Sequence, residues 1–368
     1  MTKKLRSSNI ELYRIFMMLI IIAHHLVVNS GVTEAFSFKN VTGNMIFLYL
    51  FGFGGKPMID GFLLITGYFS IKGKFTVEKA LKVLVEIVFY KVGFYFLFCL
   101  LGLQTFEIQS FKETVFYVFY AGHTAFPATY FWLYLLTPFL NKLVDGLSKK
   151  NYQCLLGVLL MYFTIISTVI DTVDTFNELG WYVTVYFIGG YLRLYEPKFL
   201  NNSVKSGLLS LASLLACYAS ILSIINDHIE GVTKLSPFYY VSNAHKLLGV
   251  LLAITSFQFF RHLKVPTSRI INTMASSIFG VLLIHGNSAT MRKWLWRDFL
   301  DIKGHYEWEW LPLYSIVCVV AIFLVCTALD LIRIHLLEKP AFIVYRKIEE
   351  KILVWWNNRK SISETETE

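Results

Sequence analysis

Apolar segments long enough to cross a membrane recur along almost the whole of this chain. A bilayer offers the backbone no water, so such segments satisfy their own hydrogen bonds as helices. The composition agrees, because 55% of the residues are hydrophobic and 16% are charged, whereas soluble domains carry roughly 25% charged residues. The sequence therefore predicts an all-α, polytopic integral membrane bundle of about ten transmembrane helices. The predicted ranges are 10–28, 46–70, 82–103, 128–144, 152–170, 180–195, 207–225, 243–260, 272–289 and 312–335.

Glycine and proline interrupt the second of these segments. Gly52, Gly54, Gly55 and Pro57 fall in its first half, and both residue types weaken a helix. We therefore expect a short segment there, followed by a second helix that begins at about Ile59.

The basic residues predict the orientation of the chain. Most of the 34 lysines and arginines fall at the two ends of the chain and in every second connection between the predicted segments. Such connections face the cytoplasm, so both termini are expected to be cytoplasmic. The formal charge of +9 then reflects this topology and contact with the anionic lipid bilayer. Nucleic acid is not an expected partner, because the sequence contains no soluble basic domain.

The same pattern predicts two regions. Residues 1–337 are expected to form one transmembrane domain, and residues 338–368 a cytoplasmic, partly disordered tail. Within the tail, residues 339–351 are expected to form a surface helix, with Trp355 and Trp356 as anchors at the membrane interface. The cysteines and histidines show no metal-ligand spacing, and we predict no metal site.

Two ionisable residues lie inside the first apolar segment. Arg14 and His25 are separated by about three helical turns, or about 16 Å, so their side chains share one helix face. Glu11 lies on that face as well, where it is expected to pair with Arg14. In one interpretation Arg14 reaches the lipid headgroups and His25 is satisfied inside the bundle. In the other, Arg14 binds an anion near one membrane surface and His25 performs proton chemistry near the other.

Four stretches of the sequence resemble motifs of one family, the membrane-bound acyltransferase family 3. The first of them contains the family's Arg and His separated by ten residues, here Arg14 and His25. The four stand in the family's order, so together they are more specific than any one of them. The stretches are residues 9–25, 59–69, 130–141 and 279–285.

The sequence departs from the family pattern in two places. Ala125-Phe126 stands where a Trp-Phe pair is usual, and Val281-Leu282 replaces an aromatic residue before His285. This chain therefore lacks that tryptophan, and the second difference is expected to alter packing only.

The resemblance implies a catalytic site around His25. Its imidazole either deprotonates the acceptor hydroxyl or carries the acyl group covalently. Asp60 would orient His25, as the acid of a triad does, or would instead cap its own helix. His285 would bind the acceptor or share the proton, and the alternative is a histidine satisfied at a helix interface.

The donor side is predicted from the basic residues near the cytoplasmic surface. The Arg14 guanidinium is suited to the phosphates of coenzyme A, because it binds phosphate oxygens in a bidentate manner. Lys72 and Lys74 follow the second segment on the same side. They either add charge to that site or are ordinary cytoplasmic loop residues.

The family resemblance implies an integral membrane O-acyltransferase, and we expect an O-acetyltransferase. It would move an acetyl group from cytoplasmic acetyl-CoA to a hydroxyl of a cell-surface polysaccharide or its lipid-linked precursor. The expected location is the bacterial cytoplasmic membrane. The alternative is a transporter or flippase for a lipid-linked glycan, which would need no histidine at the end of an Arg-and-His face.

Overall fold

A computed structural model of the chain describes residues 7–122, 125–241 and 243–365. Within these ranges every regular element is helical, and none of them is a strand. The longer helices are α1 (Ser8–Asn29), α2 (Gly43–Gly52), α3 (Gly55–Ser70), α4 (Val77–Leu100), α5 (Phe126–Asp145), α6 (Lys149–Leu160), α7 (Glu178–Tyr195), α8 (Ser203–Ile229), α9 (Leu247–His262), α10 (Arg269–Ala275), α11 (Ile278–His285), α12 (Leu311–Arg333) and α13 (Lys339–Thr365). Shorter helical pieces are Val32–Ala35, Ile108–Val115, Tyr117–Tyr120, Met161–Ile166, Ser167–Val169, Lys198–Leu200, Ala289–Lys293, Trp294–Phe299 and Ile334–Glu338.

Six stretches of the described chain are helical, long and apolar enough to cross a membrane. The all-helical, multi-pass prediction is therefore confirmed. The remaining four predicted ranges coincide with α5, α7, α9, and α10 together with α11, and the count of ten stays a prediction. The six stretches are Ser8–Asn29, Gly43–Ser70, Val77–Leu100, Lys149–Val169, Ser203–Ile229 and Leu311–Ile352.

The predicted break in the second segment lies between α2 and α3. The helix after the break begins at Gly55, earlier than the expected start at Ile59. Pro57 does not prevent this, because an amide in the first turn of a helix has no intrahelical partner to lose.

Helix α1 lies at the centre of the bundle. It packs against α2, α3, α9, α10, α11 and α12, and side chains along its length are buried, among them Tyr13, Met17, Ile21 and Leu26. A helix surrounded in this way directs its polar side chains towards protein, as the cost of exposing them to lipid requires.

Helices α3 and α7 approach each other through glycine. A Cβ atom on Gly67 would collide with the backbone carbonyl of Tyr186, and one on Gly189 would lie 2.9 Å from the backbone nitrogen of Tyr68. Small residues at such contacts let membrane helices pack backbone against backbone. The contact brings Asp60 of α3 beside Trp181 of α7, and the Trp181 Nε1–H donates to Asp60 Oδ1 at 2.9 Å.

A buried polar network connects α4 with the end of α12. Asp330 accepts hydrogen bonds from the Tyr90 hydroxyl and from Arg333 Nε, both at 2.7 Å. Arg333 also pairs with Glu86 at 3.0 Å and with Glu338 at 2.8 Å. Each buried charge thus has a partner, which membrane interiors require.

The segment between α11 and α12 packs onto the connection that follows α1. Tyr306 and Thr42 share a hydrogen bond of 2.8 Å between their hydroxyls, and Lys303 donates to Glu34 at 2.7 Å. This hydrogen bond and the positive charges of Lys303 and Arg297 lower the pKa of Glu34 below its usual value.

The predicted tail begins with helix α13, which extends beyond the expected surface helix of residues 339–351. Arg346 of α13 pairs with Glu78 at the start of α4, at 2.7 Å. The side chains of Trp355 and Trp356 lie outside the described part of the chain, so their anchoring role stays a prediction, as does the domain boundary at residues 337–338.

Candidate active site

His25 of α1 meets His285 at the end of α11. Their ring centroids lie 5.0 Å apart, with the planes inclined by 52°. The next residue, Gly286, adjoins this contact, since a Cβ atom there would lie 3.4 Å from Cε1 of His25 and 3.0 Å from the carbonyl oxygen of Leu282. The expected proximity of the two histidines is thus observed, although the helices that carry them are distant in sequence.

Hydrogen bonds define the tautomers of the neighbouring histidines. His285 Nδ1 lies 2.6 Å from the carbonyl oxygen of Val281, and His24 Nδ1 lies 2.6 Å from that of Gly52. A carbonyl oxygen only accepts, so both Nδ1 atoms carry the hydrogen. His285 Nε2 is then a lone-pair nitrogen, and it is buried without a hydrogen-bond partner in the described chain.

His25 itself is held by packing. Its Nδ1 is buried and has no hydrogen-bond partner among the described residues, while the ring is partly exposed to a cavity of about 400 Å³. This leaves Nε2 as the ring nitrogen available to a molecule in the cavity. We call this space the His25 cavity.

Charged side chains line the His25 cavity together with His24 and Asn287. Three of them are the cations Lys56, Lys91 and Arg292, and one is the acid Glu178. His285 and Asp60 are not part of the lining. His285 is fully buried behind His25, where it can act on the His25 ring but not on a ligand.

Asp60 is buried as well, but the structure does not bring it to His25 by a hydrogen bond. Its Oδ1 accepts from Trp181, and its Oδ2 has no partner in the described chain. The capping alternative is wrong, because α3 begins at Gly55 and Asp60 therefore lies inside the helix. The predicted orienting role of Asp60 stays a prediction.

Arg14 lines a second cavity, of about 220 Å³, which we call the Arg14 cavity. Glu11 pairs with Arg14 at 3.3 Å, as its position on the helix predicted. Lys72 and Lys74 are exposed in the turn after α3 and are not part of the cavity lining. The structure thus separates the three predicted donor-binding cations, and the roles of the two lysines stay predictions.

Phe126 and Leu282 line both cavities. The two spaces are therefore neighbours, and these two apolar side chains, which we call the shared wall, border both. Leu282 belongs to one of the two departures from the family pattern, and Phe126 directly follows Ala125, the residue that departs at the other.

Sequence reasoning missed the cationic lining of the His25 cavity. Lys56 and Lys91 belong to stretches apolar enough to cross a membrane, and an ionisable residue in such a stretch is itself a sign of function. The positions of Lys56 and Lys91 in apolar stretches were visible in the sequence, but they do not reveal which residues of other helices lie near these two lysines. Arg292 and Glu178 carried no sign at all, because they lie near the ends of helices.

The described chain is thus a helical, multi-pass membrane protein with a histidine-lined cavity between its helices. A family model, described as an acyltransferase domain, matches residues 7–330. The chain therefore belongs to acyltransferase family 3, which confirms the resemblance of its motifs, and it is a membrane acyltransferase. No curated protein and no solved structure is similar enough to the chain to match it.

Proposed function

We propose that the protein is an O-acetyltransferase of the bacterial cytoplasmic membrane. It takes acetyl from cytoplasmic acetyl-CoA and delivers it to a hydroxyl of a cell-surface polysaccharide or its lipid-linked precursor. The observation that carries this proposal is the pair of neighbouring cavities, one lined by Arg14 and the other by His25, which share Phe126 and Leu282 in their linings. In this arrangement only the acetyl group has to pass the wall.

The donor enters from the Arg14 cavity. With both termini in the cytoplasm, the Arg14 end of α1 faces that compartment and the His25 end faces outward. Arg14 binds phosphate oxygens of coenzyme A, while the slender thioester end reaches the wall. Its ion pair with Glu11 positions the guanidinium without burying it completely, so the phosphates remain in contact with water.

His25 activates the acceptor hydroxyl in the direct route. Its Nε2 takes the hydroxyl proton as the oxygen attacks the thioester carbonyl, a carbon–oxygen bond forms and the carbon–sulfur bond breaks. The coenzyme A thiolate leaves and is protonated. His285 supports the ring, since its lone-pair Nε2 can accept a hydrogen bond from a nearby ring N–H.

A covalent route uses the same geometry. His25 Nε2 attacks the thioester, and the thiolate leaves and is protonated. The hydroxyl then displaces the imidazole from the acyl group, and the imidazole takes up the hydroxyl proton. Only this route leaves acetyl on the protein when the acceptor is withheld, so a mass increase of one acetyl group on the peptide containing His25 distinguishes it from the direct route.

The test uses membranes that contain the full chain, with radiolabelled acetyl-CoA and extracted cell-envelope glycan. We expect label in the glycan and its release by mild alkali, which cleaves esters. Export of an intact lipid-linked glycan without any transfer of label would contradict the proposal and would favour the transporter.

A further inference from the structure

Three cations reach the His25 cavity from three different parts of the chain. Lys56 lies in the first turn of α3, Lys91 in the middle of α4, and Arg292 in the short helix Ala289–Lys293. Lys91 and Arg292 are close enough to interact electrostatically, as are Arg292 and His25, and Lys56 and His25. The positive charge therefore surrounds the position where the acceptor hydroxyl reacts.

None of these cations forms a salt bridge with a carboxylate in the described part of the chain, although Asp60, four residues after Lys56 on the same helix, is close enough to interact with it electrostatically. Lys91 donates to the carbonyl oxygen of Asn287 and lies 3.9 Å above the ring of Tyr117. Arg292 donates to the carbonyl of Gly286 at 3.4 Å. The salt bridges of the described chain include neither of them nor Lys56.

The one acid of the lining does not balance this charge. Glu178 accepts a hydrogen bond from the Thr129 hydroxyl at 3.1 Å and forms no ion pair within the described residues. Three cations therefore face one carboxylate in a space enclosed by helices. Charges of one sign held together in a partly buried space favour the binding of an ion of the other sign. The buried Arg333 has such partners within the protein, in Glu86 and Asp330.

A second polar cleft continues the His25 cavity. It has a volume of about 390 Å³ and shares Lys91, Tyr117 and Asn287 with that cavity. Amide and hydroxyl groups line it, including those of Gln104 and Thr290, together with the carboxylate of Glu113. Such groups hydrogen-bond sugar hydroxyls. Together the two spaces can hold more than one sugar unit.

We infer that the acceptor is an acidic glycan, whose carboxylate or phosphate binds Lys56, Lys91 and Arg292 beside the hydroxyl that His25 activates. This inference rests on the proposed function and adds the charge of its acceptor. The phosphates of coenzyme A are the other anions that could bind these cations. The proposed function places them at Arg14 instead, on the other side of Phe126 and Leu282.

Binding is tested on the purified full chain in detergent, by the thermal stabilisation that methyl glucuronoside, glucose 6-phosphate and methyl glucoside confer. A ligand that binds the folded state raises its unfolding temperature. We expect stabilisation by the two anionic sugars and much less by the neutral one. The anionic sugar that raises the unfolding temperature more identifies the preferred anion as a carboxylate or a phosphate. Equal stabilisation by all three sugars, or none by either anion, would overturn the inference.

Two neighbouring substitutions provide the matched control. Arg292→Met removes a cation from the cavity, whereas Lys293→Met removes one from the exposed adjacent position on the same short helix. One charged hydrogen bond is worth about a ten- to hundredfold change in affinity, so Arg292→Met should weaken binding of the anionic sugar at least about tenfold and Lys293→Met should not. Equal effects of the two variants would contradict a specific site.

The KM values for two acetyl donors, and the transfer of acetyl to glycan, show whether the inference or the proposed function has failed. If Arg292→Met raises the KM for acetyl-CoA but not for S-acetylpantetheine, which lacks the nucleotide phosphates, the cations bind coenzyme A and the inference is wrong. Anion binding without acetyl transfer to any glycan would instead refute the proposed function. Acetyl transfer without anion binding would refute the inference alone.

Discussion

His25 differs from the histidines beside it in how its ring is held. His24 and His285 each commit Nδ1 to a backbone carbonyl, whereas His25 has no ring hydrogen bond to the described residues. Uptake of a proton at Nε2 of His25 leaves its buried Nδ1–H free to donate to the lone pair of His285 Nε2. At the scale of single residues, His25 is therefore the histidine to which the proposed mechanism assigns proton transfer.

Replacing His25 tests this role directly. His25→Ala should lower acetyl transfer by about 10²- to 10⁴-fold, the usual contribution of a general base, and a covalent role predicts at least as large a loss. Radiolabel transfer is measured alongside the elution profile of the solubilised protein, which reports folding. His335→Ala, an exposed histidine after α12, is the control. Near-normal transfer by a folded His25→Ala protein would remove His25 from the mechanism.

Replacing Arg14 should have a different effect, because in the proposed mechanism it binds the donor and takes no part in bond making. Arg14→Ala should raise the KM for acetyl-CoA by about tenfold or more, the value of one charged phosphate contact. Arg14→Lys should also be impaired, since lysine cannot bind phosphate in the bidentate manner. S-acetylpantetheine kinetics are the control, and a KM for acetyl-CoA unchanged by Arg14→Ala would make Arg14 a membrane anchor.

Phe126 is predicted to limit the length of the acyl group. Phe126→Ala removes most of one side of the shared wall, so the kcat/KM for butyryl-CoA relative to acetyl-CoA should rise by about tenfold, the effect of a methylene or two on pocket fit. Phe139→Ala changes a residue of the same helix that is 67% exposed and serves as the control. The same ratio of kcat/KM for butyryl-CoA and acetyl-CoA in both variants would show that Phe126 does not limit the length of the acyl group.

At the scale of elements, the glycine contact between α3 and α7 positions Asp60 and one flank of the site. Gly67→Ala should destabilise the protein by about 1–3 kcal/mol, the usual effect of overpacking, because its Cβ would meet the backbone of Tyr186. Gly93→Ala in α4 is the matched control, since no atom lies within 4 Å of its added Cβ. Thermal unfolding in detergent measures both, and a Gly67→Ala protein as stable as the parent would argue against the close contact.

The elements themselves were largely predictable, because long apolar runs leave the backbone no alternative to helix. The common face of Arg14 and His25 was predictable too, since helical geometry alone determines it. The surroundings of Asp60 were not. In a helix that is apolar on most sides, periodicity does not reveal its rotation against its neighbours, and Asp60 hydrogen-bonds Trp181 instead of His25.

At the scale of the whole molecule, the site depends on how distant elements converge. The meeting of His25 and His285 was expected, because helices running in the same direction bring corresponding ends to the same depth. The convergence of Lys56, Lys91 and Arg292 was not, since each lies on a different element and their sequence spacing carries no pattern. Family motifs pointed to His25 as the centre of the candidate site, whereas its charged lining is visible only in the tertiary structure.

The shared wall also bears on the charge that moves in each turnover. Acyl transfer takes a proton from oxygen and returns one to sulfur, and the apolar Phe126 and Leu282 offer no hydrogen-bonded path between the two sides. In the proposed orientation each turnover then releases a proton outward and consumes one from the cytoplasm. One positive charge thus moves from the cytoplasm to the outside in each turnover. When the membrane potential is negative inside, this movement costs a free energy of about 2.3 kcal/mol per 100 mV. In proteoliposomes, acetyl transfer should slow as a potassium diffusion potential makes the cytoplasmic side more negative, and a rate indifferent to voltage would mean that the proton returns through the protein.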